Sequence, residues 1–289
     1  MPVLHVDVRL VNVVATVKDA GGAPVGGLEG GDFSVKVDGV EQRIAVFERQ
    51  TDRPLSVALL FDASLSVAKE LRFEQQASRR FVRSLLGSGA HPEDRIAVFS
   101  FSSYVDQVQG FTRSLPQLEQ ALLSIRPDSG TSVYDALSLT AQRLERREGR
   151  KVMVLITDGG DTTSRTDYHQ ALESVHLADA VVYSIIVVPI SSDAGRNLGG
   201  ENALKTISAS TGGLAFRQHV ETEKDLEEAF RQIERDLRVQ YLIGFYPQAV
   251  PEGPERFHRI ELRVHRPGAR VLARNGYYAP ATKTTRSIP

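Results

Sequence analysis

The chain contains no cysteine, no long apolar run and no excess of charge of one sign. Without cysteine there can be no disulfide framework, no thiolate nucleophile and no thiolate metal site. The 35 side chains of Lys and Arg nearly balance the 36 of Asp and Glu, so the formal net charge is −1. No block of like charge is long enough to form a nucleic-acid or anionic-membrane patch. The sequence therefore predicts no nucleic-acid partner.

The apolar runs are short, and residues 152–156 are typical of the longest ones. A helix that spans a bilayer needs roughly 20 apolar residues, so we expect no membrane span. Hydrophobic residues make up 41% of the chain and charged residues 25%, which is the composition of an ordinary folded protein. A length of 289 residues is enough for two domains, each with its own core.

Common catalytic signatures are also missing. The sequence contains no H-E-x-x-H, G-x-S-x-G, P-loop or dinucleotide-binding glycine motif. No histidine lies near Ser64 or Ser66 in the sequence to activate either hydroxyl as a nucleophile. His169 and His176 are seven residues apart on one predicted helix, whereas a helical metal chelate needs a spacing of four, so we expect both at the surface. These absences favour a binding protein over an enzyme.

Residues near both ends of the chain alternate between apolar and polar, which is typical of half-buried strands. The alternating apolar positions are Val6, Val8 and Leu10, then Phe33, Val35 and Val37, and finally Ile260, Leu262 and Val264. The pair Asp38-Gly39 predicts a type I′ hairpin turn because both residues accept a positive φ. A two-stranded hairpin is marginal alone, so we expect the strands of the two ends to pair.

The middle of the chain alternates continuous apolar runs with amphipathic segments. This pattern indicates parallel strands that are covered by helices on both faces. The predicted strands are 56–61, 96–99, 152–156 and 181–188, and the predicted helices are 67–86, 134–144 and 224–237. We assign the apolar stripes of these helices to core packing.

The expected fold class is therefore α/β, with a Rossmann-like, mainly parallel sheet covered by helices. A smaller β-sandwich-like domain, formed by both chain ends, accompanies it. The predicted division gives residues 1–50 and 239–281 to the β domain, 51–238 to the α/β domain and 282–289 to a disordered basic tail.

Five oxygen-bearing side chains stand just beyond predicted strands or in a loop that opens a helix. They are Asp62, Ser64, Ser66, Thr131 and Asp158. Ligands of open α/β sheets bind beyond the carboxyl ends of the strands, so we expect this set to converge on one rim. Hydroxyls with few carboxylates suit a hard divalent cation, Mg²⁺ above all, with Mn²⁺ or Ca²⁺ as alternatives. For Asp62, Ser64 and Ser66 the other interpretation is turn and helix-cap chemistry.

Nearby polar residues are weaker candidates. Asp161, Thr162 and Thr163 follow Asp158 closely, and they either line the rim and select the ligand or lie in a solvated loop. Asp135, early in its helix, is expected to interact with the helix dipole and is left out of the metal site.

The spacing Asp62-x-Ser64-x-Ser66, followed by Thr131 and by Asp158-Gly159, resembles the metal-ion-dependent adhesion site of von Willebrand factor type A domains. The resemblance implies that Ser64, Ser66 and, in the ligand-bound form, Thr131 coordinate the metal directly. It implies that both aspartates act largely through water. The flanking segments 8–13, 240–247 and 274–278 resemble bacterial proteins related to this family, of the type common in Acidobacteria.

This resemblance and the chemistry of the oxygen set lead to the same functional hypothesis. Two carboxylates only balance the charge of the ion, so the metal keeps Lewis acidity and an open position for a partner's carboxylate. We expect a non-enzymatic adhesion module that captures an Asp or Glu of a protein partner through Mg²⁺. One alternative is a structural or assembly component with a vestigial metal site, and a second is a Mg²⁺-dependent phosphate or ester hydrolase.

The bacterial resemblance also suggests where the protein acts. Proteins of that group resemble exported proteins, so we expect an extracytoplasmic location, periplasmic or secreted, with a signal peptide outside this chain. The segment 1–5 has no basic or apolar leader region, which keeps a cytoplasmic location as the alternative.

Overall fold

The computed structural model describes residues 10–49, 53–187, 197–218, 223–248 and 256–279. Several sequence predictions lie outside these ranges: the strand positions Val6 and Val8, the end of the strand at Val188 and the tail over 282–289.

The described residues form strands near both chain ends and alternating strands and helices in the middle, as the sequence patterns predict. The strands are β1 (Val11–Lys18), β2 (Phe33–Val37), β3 (Val40–Gln42), β4 (Ile44–Arg49), β5 (Leu55–Asp62), β6 (Arg95–Phe101), β7 (Val105–Thr112), β8 (Arg150–Thr157), β9 (Ala180–Val187), β10 (Ala215–Gln218), β11 (Gln240–Phe245), β12 (Phe257–Val264), β13 (Arg270–Ala273) and β14 (Gly276–Tyr278). The helices are α1 (Leu71–Leu85), α2 (Leu115–Ser124), α3 (Val133–Glu145), α4 (Tyr168–Leu177), α5 (Leu198–Ser210) and α6 (Glu223–Leu237).

A six-stranded sheet in the order β10-β9-β8-β5-β6-β7 forms the centre of the α/β portion. All of its strand pairs are parallel except β6 with β7, which is antiparallel. Every residue of β5 and β9 is buried, as expected for parallel strands that are covered on both faces. The predicted α/β fold with a mainly parallel sheet is confirmed.

Helices cover both faces of this sheet and create two separate cores. Along β5 the side chains alternate: Val57 and Leu59 enter the core under α1, α2 and α6, whereas Ala58 and Leu60 enter the core under α3, α4 and α5. The stacked rings of Phe81 and Phe230, 4.6 Å apart, join α1 to α6 within the first core. The core assignment of the helical apolar stripes is therefore confirmed for these helices.

The two chain ends together form a β-sandwich. One sheet has the order β13-β1-β11-β4 and the other has the order β14-β12-β2-β3. Strand β1 pairs antiparallel with β11, and β2 pairs antiparallel with β12, so strands from opposite ends are neighbours in both sheets. Their inner faces share one core, which includes Val13, Val35, Ile243 and Ile260. The expected pairing of the chain ends is confirmed.

The hairpin between β2 and β3 has the predicted turn. Asp38 has φ 48° and Gly39 has φ 83°, which are the two positive φ values that a type I′ turn requires. The pair Val37 and Val40 closes the ladder on either side of the turn.

The sandwich packs on the α/β portion through buried polar contacts. Lys18 of β1 forms an ion pair with Asp236 of α6 at 2.9 Å, and both side chains are buried. Asn275 donates its backbone N–H to the carbonyl of Ser210, at the end of α5. These two contacts thus connect the sandwich to the α/β portion at positions that are far apart in sequence.

One sequence prediction about the helices is wrong. His169 is exposed as expected, but His176 is buried although both lie on α4. The ring of His176 packs edge-on against Phe257 and Tyr278, because the sandwich covers this end of the helix. Within the part of the chain that the structure describes, no helix is long and apolar enough to cross a membrane.

Candidate functional site

Asp62, the last residue of β5, lies at the centre of the candidate site. It is fully buried, and it accepts hydrogen bonds from the backbone N–H of Ser64 at 2.8 Å and from the hydroxyl of Thr157 at 2.6 Å. Burial raises the pKa of Asp62 to about 6, although the bonds from Ser64 and Thr157 oppose that rise. The parallel register of β5 and β8 brings Thr157 beside Asp62.

The two serines follow Asp62 on a tight turn. Ser64 is buried and precedes a 3₁₀ helix (Leu65–Val67), whereas Ser66 lies on this helix and is exposed. Their hydroxyl oxygens are 2.8 Å apart, so both point to the same place. The turn places one carboxylate and two hydroxyls together at the carboxyl edge of the sheet.

Thr131 comes from the loop before α3 and is buried beside the same edge. A bridge between Ser64 and Asp128 joins this loop to the serine turn. Gly130 has φ 77°, and a Cβ atom there would lie 2.4 Å from the hydroxyl of Ser103, so only glycine fits this approach to Thr131.

Asp158 follows β8 and is half-buried. Its carboxylate accepts a hydrogen bond from the backbone N–H of Gly160 at 3.0 Å, and its charge contributes to the raised pKa of Asp62. The ends of β5 and β8 therefore bring the two carboxylates into each other's field, as the sequence predicts for adjacent parallel strands.

The loop after Asp158 supports the site without supplying clear ligands. Asp161 accepts hydrogen bonds from the backbone N–H of Val133 and from the hydroxyl of Ser164, so its carboxylate caps α3. Thr162 is exposed, and its hydroxyl accepts the N–H of Thr131 at 3.0 Å. These bonds hold Thr131 in place, and a rim role for Asp161 and Thr162 stays a prediction.

Asp135 and Thr163 also bind within the loop region. The carboxylate of Asp135 accepts backbone N–H groups of Arg165 and Thr166, and the hydroxyl of Thr163 lies 2.7 Å from that of Ser132. Asp135 thus sits in the first turn of α3 and binds the neighbouring loop, which accords with its exclusion from the metal site.

Two buried acidic residues near the site were not predicted from the sequence. Glu70 and Glu74 are 2% and 1% exposed, and both carboxyl oxygens of Glu74 lack a hydrogen-bond partner among the residues that the structure describes. Burial raises the pKa of Glu74 well above its usual range, and the charges of Asp62, Glu70 and Asp158 raise it further. The sequence feature that could have revealed Glu74 is its position on the buried face of α1, between Leu71 and Phe81.

These observations fit a bound divalent cation. Orphaned, buried carboxyl oxygens beside a cluster of like charge are unfavourable unless a positive charge or a proton compensates them. Within the described ranges, no group of three or more His, Asp or Glu side chains could hold a metal ion by itself. A cation here would therefore need the hydroxyls of Ser64, Ser66 and Thr131 in addition to the carboxylates, which is the mixed oxygen set that suits Mg²⁺.

The rim around the site exposes apolar surface. Leu65, between the two serines, is 65% exposed, and Tyr104 is 59% exposed. The carboxylates of Asp128 and Asp106 raise the pKa of Tyr104, and a hydrogen bond to Asp128 adds to this effect, so the ring lies by the loop that is bridged to Ser64. The combination of an oxygen cluster and exposed apolar side chains can contact a protein surface.

This sheet order and its helical layers are shared with solved structures of von Willebrand factor type A domains. Residues 57–160, within the α/β portion, match the family model of the von Willebrand factor type A domain. The matched segment includes all five predicted metal-site residues. No curated protein matches the chain.

Solved bacterial structures share the fold. The vWF domain of the type V pili tip protein Mfa5 from Porphyromonas gingivalis has 15% identity and a TM-score of 0.51, and the match covers 64% of this chain and 95% of that one. A von Willebrand factor type A protein from Catenulispora acidiphila has 13% identity and a TM-score of 0.52, over 96% and 75% of the two chains.

The pilus adhesin SpaC from Lactobacillus rhamnosus GG, in its open conformation, has 12% identity and a TM-score of 0.53. That match covers 89% of this chain but 50% of the adhesin. At these identities the likeness concerns the fold.

Proposed function

We propose that this protein is a metal-dependent binding module that captures an acidic residue of a protein partner. Asp62, Ser64, Ser66, Thr131 and Asp158 would hold the metal, which we take to be Mg²⁺. The observation that carries the proposal is the buried Asp62, which is fixed by Ser64 and Thr157 beside Asp158 and the orphaned carboxyl of Glu74.

The chain's own residues explain why such a site would bind a ligand. Thr157 and the N–H of Ser64 use one lone pair on each oxygen of Asp62, which fixes the carboxylate in one orientation. Ser66 is an exposed residue, so the site is reached from solvent on this side. When bound, the metal would supply a positive centre with an open position for a carboxylate oxygen.

The rim supports a protein partner over a small acid. Leu65 and Tyr104 are exposed at the same edge and can bury apolar surface against a partner. Two neighbours in fold are described as a pilus tip protein and a pilus adhesin, and we extend that role to this chain. We therefore propose an extracytoplasmic location, where such a partner is reached.

Calorimetric titration of metal-stripped protein with Mg²⁺ and Mn²⁺ tests the metal site. We expect saturable binding by the wild type and at least a tenfold loss of affinity in Ser66→Ala and Asp62→Ala. Ser66 is exposed, so its variant should keep the fold. Asp106→Ala, which removes an exposed carboxylate near the rim, is the control and should bind like the wild type. Equal binding by all four proteins would refute the site.

Water-proton relaxation of the Mn²⁺-loaded protein tests the open position. Added glutarate should displace a metal-bound water and lower the relaxation enhancement, whereas the uncharged diamide should not. No change with glutarate would contradict carboxylate capture and favour the structural alternative. Mg²⁺-dependent turnover of phosphate and carboxylic esters, lost in Ser66→Ala, would instead favour the hydrolase.

A further inference from the structure

A cleft of about 520 Å³ lies at the junction of the β-sandwich and the α/β portion. The α/β portion contributes the first residues of β8 and β9, among them Arg150, Lys151 and Ala180. The sandwich contributes Asn12 and Arg274. The cleft therefore exists only when both parts of the chain are present.

The cleft is separate from the candidate metal site. Strand β8 starts at the cleft with Arg150 and ends beside the metal site with Thr157. Seven steps of about 3.3 Å along a strand amount to roughly 23 Å. The cleft and the candidate metal site therefore lie at opposite ends of the strands of the central sheet.

The cleft is basic inside and acidic at its edge. Its basic side chains are Arg53, Arg147, Arg150, Lys151 and Arg274, and its acidic ones are Glu93, Glu148 and Asp179. All three acidic residues are exposed, whereas Arg150 is buried and the side chain of Arg274 is only 10% exposed. An anion that enters the cleft would therefore meet positive charge where water is most excluded.

Two of these cations, Arg147 and Arg150, have neutral hydrogen-bond partners, whereas Arg53 pairs with Glu48 and Arg274 pairs with Asp179. Arg150 donates hydrogen bonds to the backbone carbonyls of Leu237 and Arg53, and Arg147 donates one to the hydroxyl of Ser56. Carbonyl and hydroxyl partners orient a guanidinium without neutralising its charge. Burial lowers the pKa of Arg150, and the negative charge of Asp94 opposes that fall.

Two nearly buried nitrogen atoms in the cleft wall lack a partner. Arg274 pairs with Asp179 through one terminal nitrogen, but its Nε has no hydrogen-bond partner among the described residues. The Nε2 atom of His176 is also buried and has no hydrogen-bond partner among the described residues. Buried polar nitrogen atoms without a partner are rare in folded proteins unless a ligand or water satisfies them.

We propose that this cleft binds a small molecule that carries two or more anionic groups, of the phosphoryl or polycarboxylate class. The volume suits a ligand of that size. Several guanidinium groups together are the usual partners of phosphate and carboxylate oxygens because of their planar donor geometry. A ligand held by Lys151 and Arg274 at once would bridge the two parts of the chain.

Calorimetric titration of the full chain with pyrophosphate and with citrate tests the proposal. The protein is stripped of metal and dialysed into metal-free buffer without chelator beforehand, and the ionic strength is held constant, because both anions chelate Mg²⁺ and would otherwise compete with the metal site. We expect saturable binding by the wild type. Lys151→Gln and Arg147→Gln should each weaken it at least fivefold, and Arg146→Gln, an exposed neighbour outside the cleft, should not.

Each possible result of these titrations either supports the proposal or overturns it. Binding of pyrophosphate alone assigns the cleft to phosphoryl groups, and equal binding of both anions assigns it to polyanions of either kind. Absence of binding at 10 mM by a folded wild type, or equal loss in Arg146→Gln and Lys151→Gln, would overturn the proposal. Thermal melts of each variant check that the substitutions leave the fold intact.

Discussion

His176 shows how the environment of one side chain can reverse its chemistry. It lies in the last turn of α4, where a charged histidine would stabilise the helix dipole. Instead, burial and, to a smaller extent, the positive charge of Arg274 lower its pKa to about 4. The ring is therefore neutral at neutral pH and packs with Phe257 and Tyr278 as an aromatic side chain.

This lowered pKa makes the stability of the fold sensitive to acid. Between pH 6.5 and about 4 the unfolded chain binds a proton at His176 that the folded chain does not, so stability falls as the pH falls. We expect His176→Phe to lose about 2 kcal/mol less stability than the wild type on going from pH 7 to pH 4.5. Urea unfolding at the two pH values measures this difference.

The comparison of the two proteins removes other titrations from the result. Asp62 has a raised pKa of about 6, so in the metal-free protein it has the opposite effect and favours folding as the pH falls from 6 towards 3.8. Both proteins carry Asp62, and its effect cancels in the difference. An identical loss of stability in the wild type and the variant would contradict the assignment to His176.

At this scale the positions of the candidate site residues could be predicted from the sequence better than the residues that support them. Asp62, Ser64 and Asp158 follow buried strands in the sequence itself, so their position at one edge could be predicted. The hydrogen bond from Thr157 to Asp62 joins residues that are 95 positions apart, and only the register of β5 and β8 reveals it. The burial of Glu74 likewise depends on what α1 packs against.

At the scale of the elements, α6 joins the two parts of the chain. Its apolar face enters a core of the α/β portion through Phe230 and Ile233. At its end Asp236 forms the buried ion pair with Lys18 of the sandwich and accepts a hydrogen bond from Gln232. Burial raises the pKa of Asp236, and the bond to Lys18 opposes that rise, so the carboxylate depends on its partner.

Lys18→Met should destabilise the protein by about 3–5 kcal/mol, because it leaves the carboxylate of Asp236 buried without its cation. The double variant Lys18→Met with Asp236→Leu should recover most of this loss, since a buried ion pair adds little beyond what apolar side chains of similar size provide. Urea unfolding of the two variants measures both values.

A surface pair of the same helix provides the control. Arg231 and Glu228 form an ion pair in which both side chains are about half exposed, so Arg231→Ala should change stability by less than about 1 kcal/mol. If Lys18→Met were as mild as this control, the junction would not depend on the buried pair.

The elements that the sequence did not predict are those whose pattern is weak. Strand β7 is antiparallel at the sheet edge and has no fully buried residue, so it lacks the apolar run that marked β5 and β8. Strand β10 has four residues, too few for a period to show. The strands that are buried on both faces and the pairing of the chain ends were predictable, because burial on two faces or on one face leaves a distinct pattern.

At the scale of the whole molecule, the two proposed sites divide differently between the two parts of the chain. All five candidate metal-site residues belong to the predicted α/β domain of residues 51–238. The basic cleft also needs the sandwich, which contributes Asn12 and Arg274 to its wall. If the two parts are separated, the α/β part should therefore keep the metal site and lose the cleft.

A fragment of residues 51–238 should unfold cooperatively but at lower stability than the full chain, because Asp236 loses Lys18. It should bind Mg²⁺ within about threefold of the full chain, since its metal-site residues are complete. It should not bind pyrophosphate, because the sandwich's part of the cleft wall, which includes Asn12 and Arg274, is gone. Calorimetry with each ligand and a thermal melt measure these properties on one preparation. Non-cooperative melting would contradict the predicted domain division, and loss of Mg²⁺ binding by a folded fragment would show that the metal site requires the sandwich.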